Sequence, residues 1–271
     1  MHAISTTQIS GTTRVLFILA DPVTHVRTPQ AFNALAERYS ADCVMVPCEV
    51  AAPNLGVVVR ALRAMKSVDG AVVTMPHKMA AAEFCDELGV TARAAGVVNA
   101  IRRTPQGTLR GEIFDGLGFV AALRGNGFDP RGARVFMIGA GGAACAIAFA
   151  LAQSGVQRLS IYNRTASKAQ RLAAMLTLRF PDVEAMVGAA PDPTDSELVV
   201  NASTLGRNSQ DEPPLDLHYL QKHMRVADVV MSATPTPLIQ AARARGCVTQ
   251  TGQEMLEGQL PLIAAFLGLS P

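Results

Sequence analysis

The run Val72-Val73-Thr74-Met75-Pro76-His77-Lys78 carries a lysine just past an apolar stretch, on a turn set by Pro76. Strand ends are where α/β proteins place ligand-contacting groups, and a lysine there can act as acid or base, its pKa lowered by desolvation and raised by a neighbouring carboxylate. Taken alone, Lys78 fits a solvated surface position at least as well. Asp115, in Glu112-Ile113-Phe114-Asp115-Gly116-Leu117-Gly118-Phe119, reads locally as a plain helix N-cap. Asn99 sits inside the apolar run Gly96-Val97-Val98-Asn99-Ala100-Ile101, where a buried amide needs either a backbone partner or a ligand.

A second group of residues points to an anion. Gly139-Ala140-Gly141-Gly142-Ala143 joins an apolar strand, Val135 to Ile138, to an Ala-rich helix, Ala143 to Gln153. Glycines let the backbone turn tightly and approach a pyrophosphate, and the helix start supplies free N–H groups and a positive dipole end. After Gly155 a second strand, Leu159 to Tyr162, leads to Asn163-Arg164-Thr165 in place of the acid that would bind a ribose 2′-hydroxyl. Arg164 suits a 2′-phosphate, which favours NADP over NAD. Lys168, one helical turn on, is either a second cation for that phosphate or part of a solvated helix face.

The elements that must position these groups alternate along the chain. Val15 to Leu19, Cys43 to Val46 and Gly70 to Thr74 read as strands; Pro29 to Tyr39, a stretch with Leu55, Val58, Val59, Leu62 and Met65 at helical spacing, and Glu83 to Leu88 read as helices. Val97 to Arg102 and Thr108 to Ile113 flank Pro105-Gln106-Gly107 as a hairpin. Further strands are expected at Leu198 to Ala202 and Ala227 to Met231, and a last helix at Met255 to Leu267 with Pro261 near its first turns. Such alternation predicts an α/β fold with largely parallel sheets and helices on both faces. The 271 residues, 49% hydrophobic, suffice for two cores. We expect a substrate-binding domain at 1–114, to which 253–271 returns, and a Rossmann-type NADP-binding domain at 115–252.

Composition narrows the classes. A net charge of +2 and a pI near 8.3 give no basic surface suited to nucleic acid. The longest N-terminal apolar run, Val15 to Ala20, is too short for a signal-peptide core or a membrane span, so a cytoplasmic protein is expected. The five cysteines and five histidines show no disulfide framework and no metal-ligand spacing.

Nine stretches in order make the chain similar to the shikimate/quinate dehydrogenase family over nearly its whole length. They are Pro22-Val23-Thr24-His25, Val73-Thr74-Met75-Pro76-His77-Lys78, Gly96-Val97-Val98-Asn99, Asp115-Gly116-Leu117-Gly118-Phe119, the glycine turn, Asn163-Arg164-Thr165, Asn201-Ala202-Ser203-Thr204-Leu205-Gly206, Thr236-Pro237-Leu238, and Gly252-Gln253-Glu254-Met255-Leu256 with Gln259. The resemblance implies an NADP-dependent oxidoreductase of aromatic amino acid biosynthesis that interconverts a keto and a hydroxy group on a ring acid without a metal. It implies Lys78 and Asp115 as catalytic pair, Thr28, Thr74, Asn99 and Gln259 as substrate ligands, and Asn163, Arg164, Thr165, Thr204, Leu205 and Gly252 as cofactor contacts beside the glycine turn. Expected partners are small molecules, with no nucleic acid or membrane, the protein acting as a monomer or homodimer. The alternatives are a dehydrogenase of quinate or another shikimate-like substrate, and a non-catalytic dinucleotide-binding regulator.

The chain departs from the family where two serines would anchor the substrate carboxylate: it reads Val26-Arg27-Thr28-Pro29. Thr28 keeps a hydroxyl at a helix start, a place an ordinary N-cap with Pro29 at N1 explains equally. Val26 has no side-chain donor, and one lost hydrogen bond to a charged group costs about 1.5–3 kcal/mol. Ile113, Phe114 and Met231 also replace usually polar residues, which predicts a more apolar pocket.

Overall fold

Parallel strands covered on both faces read as unbroken apolar runs, and Arg134-Val135-Phe136-Met137-Ile138 is one, with four of its five residues buried. The computed structural model describes residues 9–24, 26–207, 211–232 and 234–269; His25 of the Pro22-Val23-Thr24-His25 motif lies outside them. In chain order the elements are β1 (Arg14–Ala20), α1 (Thr28–Arg38), β2 (Cys43–Glu49), α2 (Leu55–Leu62), β3 (Val68–Val73), α3 (Lys78–Ala82), β4 (Glu87–Leu88), α4 (Val90–Ala95), β5 (Ala100–Arg103), β6 (Leu109–Glu112) and α5 (Asp115–Gly125). They continue as β7 (Arg134–Ile138), α6 (Gly142–Gln153), β8 (Arg158–Tyr162), α7 (Ala166–Arg179), β9 (Glu184–Val187), β10 (Leu198–Asn201), β11 (Arg225–Asp228), α8 (Pro237–Ala244), β12 (Val248–Gln250) and α9 (Gly252–Phe266). The chain divides into two units, one of Met1–Gly89, Val97–Glu112 and Ile263–Pro271, the other of Val90–Gly96 and Ile113–Leu262.

The first unit holds a six-stranded sheet in the order β2-β1-β3-β5-β6-β4. It is mixed rather than largely parallel: β1 pairs parallel with β2 and β3, while β5 runs antiparallel to both β3 and β6. The antiparallel pairs come from the β5–β6 hairpin, whose Thr104-to-Thr108 turn contains Gly107 at φ 84°. Leu16, Ile18, Leu19, Ala71 and Val73 fill the core of this unit together with Phe32, Leu55, Val59 and Leu62 from α1 and α2.

The second unit holds a sheet that is parallel throughout, ordered β12-β11-β10-β7-β8-β9. Numbered from β7, that is the 6-5-4-1-2-3 order of a dinucleotide-binding sheet, with its switch point between β7 and β10. The nearly polar-free α6 is buried along Ala144–Ala152 against β7 and α5.

Several local expectations are corrected. Glu83 to Leu88 is not a helix: α3 begins five residues earlier, and the Asp86 N–H and carboxylate are engaged by the backbone of Leu109, which draws Glu87–Leu88 into the sheet. Met65 lies beyond α2 and is 41% exposed. Asp115 and Thr28 are not N-caps. Each is the first helical residue, after Phe114 and Arg27, and neither helix has a side-chain cap. Pro261 falls deep inside α9 rather than near its start, because Thr251 and Glu254 start that helix early as a reciprocal capping box. The strand expected to reach Met231 ends at Asp228, whose carboxylate accepts the Val230 N–H and turns the chain.

Candidate functional site

In the first unit the carboxyl end of β3 carries the lysine turn. The Thr74 N–H donates to Leu19 O (3.0 Å), Asp21 N–H to Met75 O (3.3 Å) and His77 N–H to Thr74 O (2.9 Å), so the turn is held against the end of β1. His77, 1% exposed, sends Nε2 to Val50 O at 2.7 Å; a carbonyl only accepts, so Nε2 carries the proton. Lys78 follows as the first residue of α3, and its carbonyl accepts the Val98 N–H at 2.9 Å. Asn99 O accepts Val73 N–H (2.8 Å) and Asn99 N–H donates to Glu112 O (2.9 Å), which places this buried residue beside the same turn. Thr28 opens α1 after β1, the parallel neighbour of β3, and is 8% exposed. Thr74, Lys78 and Asn99 are thus gathered at one sheet end, with Thr28 beyond the adjacent strand.

In the second unit the buried Asp115 opens α5. A Cβ on Gly116 would strike Ala146 O of α6, and a Cβ on Gly118 would come within 2.5 Å of the Gln259 Cβ on α9. Positions three apart share a helix face, so Asp115 and Gln259 are brought to one side of α5. Glu254, in the first turn of α9, has its carboxyl pushed up by burial, but hydrogen bonds from Thr251 and Asn126 hold it below its ordinary value on balance.

The glycine turn lies between β7 and α6. Gly139 has φ 118°, donates to Tyr162 O at 2.8 Å, and leaves no room for a side chain: a Cβ would lie 2.6 Å from Ala202 O. Gly141 N-caps α6 without a side chain and has open space beside it, as an anion approaching the N–H groups of Gly142 and Ala143 would need. This cradle fits a dinucleotide pyrophosphate. At the end of neighbouring β8, Asn163 Nδ2 bonds Thr165 O (2.9 Å) and shapes the entry to α7, where Arg164 and Lys168 are exposed. Thr204 and Leu205 follow β10 and are exposed, while Gly252 follows β12 at a place where a Cβ would strike the Val229 and Val230 carbonyls. Ala140, Ala143 and these groups all stand at strand carboxyl ends.

The resemblance assigns no role to Asp228, which is 2% exposed in the second unit. Its Oδ1 accepts from Asn201 Nδ2 (3.0 Å) and Val230 N–H (3.1 Å), and its Oδ2 from Thr236 Oγ1 (2.6 Å). Burial pushes the carboxyl above its ordinary pKa against the pull of these bonds. The signal was present in the sequence, an acid inside the apolar run Val226-Ala227-Asp228-Val229-Val230, since a buried charge must be partnered. Among the described residues no helix is long and apolar enough to cross a membrane, and no three His, Cys, Asp or Glu gather as for a metal.

Known proteins share this sequence pattern and fold. Residues 18–101 match the family model of the shikimate dehydrogenase substrate binding domain, and residues 123–190 that of shikimate / quinate 5-dehydrogenase. The NADP(+) shikimate dehydrogenase of Acidiphilium cryptum is 39% identical over 97% of this chain and 94% of its own. Two solved structures superpose closely. A shikimate dehydrogenase in complex with NADP+ has a TM-score of 0.88 at 28% identity, covering 96% of this chain and 92% of the other. The ligand-free 5-ketofructose reductase of Gluconobacter sp. strain CHM43 has a TM-score of 0.86 at 31% identity, covering 94% and 93%. With a parallel sheet in dinucleotide-binding order, a glycine turn closed at Gly139 to any Cβ, and a relative 39% identical over nearly the whole of both chains, the chain belongs to the shikimate dehydrogenase family.

Proposed function

We propose that this protein is an NADP-dependent dehydrogenase that interconverts a ring ketone and its alcohol on a hydroxylated ring acid, 3-dehydroshikimate and shikimate or a close analogue. The observation that carries the reading is Gly139, whose backbone closes against Ala202 at the switch point and leaves a cradle for a pyrophosphate. When bound, NADPH supplies the hydride. Lys78 then delivers a proton to the carbonyl oxygen as charge develops there, and takes it back in the oxidation. Asp115 acts as its catalytic partner, while Thr74, Asn99 and Gln259 orient the ring hydroxyls and Thr28 offers a hydroxyl to the carboxylate. Asn163, Arg164, Thr165 and Lys168 receive the 2′-phosphate, and Thr204, Leu205 and Gly252 flank the nicotinamide half. The protein acts on small molecules, in the cytoplasm, as a monomer or homodimer.

The direct test is NADPH oxidation, followed by its absorbance, with 3-dehydroshikimate, and the reverse reaction with shikimate and quinate. Turnover of none of these by the intact protein refutes the reading. The cofactor preference has its own test: Arg164→Ala should raise KM for NADPH about ten- to a hundredfold, the worth of a charge-assisted hydrogen bond, and leave KM for NADH unchanged. An equal effect on both cofactors removes the 2′-phosphate role.

A second reading follows from Val26, whose side chain lacks a donor and whose N–H already bonds Val23 O at 3.0 Å. It is that the substrate carries no carboxylate, as in the neutral ketose named for the Gluconobacter relative. Val26→Ser discriminates. If the ring acid is the substrate, the restored hydroxyl should lower KM for shikimate about tenfold or more with kcat little changed, because it acts on ground and transition states alike. No effect on shikimate, with turnover of 5-ketofructose, establishes the second reading.

A further inference from the structure

We propose that Asp228 is a positioning residue for the nicotinamide half of the cofactor, acting through Asn201 on the Ala202–Gly206 loop. The inference rests on the proposed cofactor site. Asn201 is fully buried at the end of β10, and every polar atom of its side chain is engaged. Its Nδ2 donates to Asp228 Oδ1 (3.0 Å) and to Leu205 O (3.0 Å), and its Oδ1 accepts from Ser203 N–H (3.1 Å) and Ser203 Oγ (2.7 Å). Ser203 Oγ in turn accepts the Leu205 N–H at 3.2 Å. The whole turn is therefore built on one amide, and Asp228 fixes the orientation of that amide.

The same carboxylate ties down the other side of the loop. It accepts from Thr236 Oγ1, which caps α8 by accepting the Ile239 N–H (3.4 Å), and from Val230 N–H, the residue whose carbonyl lies against Gly252. Gly206, at φ 89°, passes directly over it, with its missing Cβ 4.0 Å from Asp228 Oδ2. On its other side the loop meets the glycine turn, since the missing Cβ of Gly139 is 2.6 Å from Ala202 O and 3.0 Å from Ser203 N. Asp228 thus sets how far the exposed Thr204 and Leu205 stand from the dinucleotide turn, through bonds to Asn201, Val230 and Thr236. The adenosine side of the site, at Asn163–Lys168 beyond β8, shares none of these bonds.

A carboxylate suits this place better than an amide because three donors converge on it. In Asp228→Asn the amide nitrogen can face only the Thr236 hydroxyl, the one partner able to turn round and accept, whereas the alanine variant strands the Asn201 amide and the Val230 N–H.

The experiment compares wild type, Asp228→Asn and Asp228→Ala as full-length protein. The affinity of each for NADPH is measured beside that for 2′-phospho-ADP-ribose, which lacks only the nicotinamide, together with kcat, KM and thermal melting. We expect Asp228→Ala to weaken NADPH about tenfold or more and to lower kcat, with 2′-phospho-ADP-ribose binding kept within about twofold, and Asp228→Asn to recover most of the loss. Equal weakening of both ligands, or NADPH binding left intact in both variants, overturns the proposal. If Asp228→Ala does not fold, the same contrast is read from Asp228→Asn at about threefold or more for NADPH alone. Wild-type protein that binds neither ligand refutes the cofactor site itself, and the positioning role with it.

Discussion

Lys78→Ala should lower kcat about 10²–10⁴-fold, the usual worth of a positioned proton donor, while NADPH binding and thermal stability stay at wild-type values. The variant keeps the main-chain and His77 anchors of this segment. The buried His77 ring anchors the turn to Val50 O, and the Lys78 carbonyl, not its ammonium, accepts from Val98. Asp115→Asn should give a loss of the same order, and the double variant should be hardly worse than either single one, since residues acting as a unit are not additive. Stopped-flow measurement of a single turnover separates the chemical step from product release. Undiminished turnover in either single variant would dismiss the proton-transfer role, and fully additive losses would dismiss the pairing.

Gly139→Ala should abolish cofactor binding and destabilise the protein by about 1–3 kcal/mol. The added methyl must occupy a position 2.6 Å from Ala202 O, at a φ of 118° that L side chains seldom adopt. The backbone can relieve the clash only by parting the β7 and β10 loops, and that gap is where the proposed cofactor half-sites join. Gly141→Ala is the matched control. Its φ of −86° is ordinary and its missing Cβ faces open space, so stability should hold while NADPH affinity falls, because the methyl projects to the ligand's side. Melting curves and NADPH titrations of the two variants check the contrast. A stable Gly139→Ala that still binds NADPH would mean the turn is not the cofactor's cradle.

What was legible in the sequence is what local chemistry determines. A glycine turn between an apolar strand and an alanine-rich helix has one physical explanation, and β7, α6 and β8 lie within a residue or so of their expected ends. What escaped depended on partners distant in the chain. Glu87–Leu88 is a strand only because β6 pairs with it, and Glu83 to Leu88 by itself has helical composition. The β5–β6 hairpin is legible from its Pro105-Gln106-Gly107 turn, but that it joins the first sheet antiparallel to β3, which makes the sheet mixed, depends on a pairing between segments about 30 residues apart. Thr28 and Asp115 were expected one position outside their helices, since a capping residue and a first-turn residue share the same preference for an oxygen near the N-terminus. Asp228 stands out as an acid in an apolar run, but what satisfies it does not. Its partners Asn201 and Thr236 sit 27 and 8 positions away, the first brought to it by the β10–β11 pairing and the second by the start of α8.

The glycines of α5 and α9 have a dynamic consequence. Gly116 lets α5 approach the α6 backbone at Ala146, while Gly118 and Gly258 let it approach α9, Gly118 at the Gln259 backbone and Cβ and Gly258 at the Gly118 carbonyl. Rotamer exchange cannot loosen such a joint, so Asp115 and Gln259 share one rigid frame and thermal fluctuations move them in concert. If Asp115 and Gln259 serve the proposed site, its substrate preference would change through the side chains carried on that frame rather than through the frame's spacing.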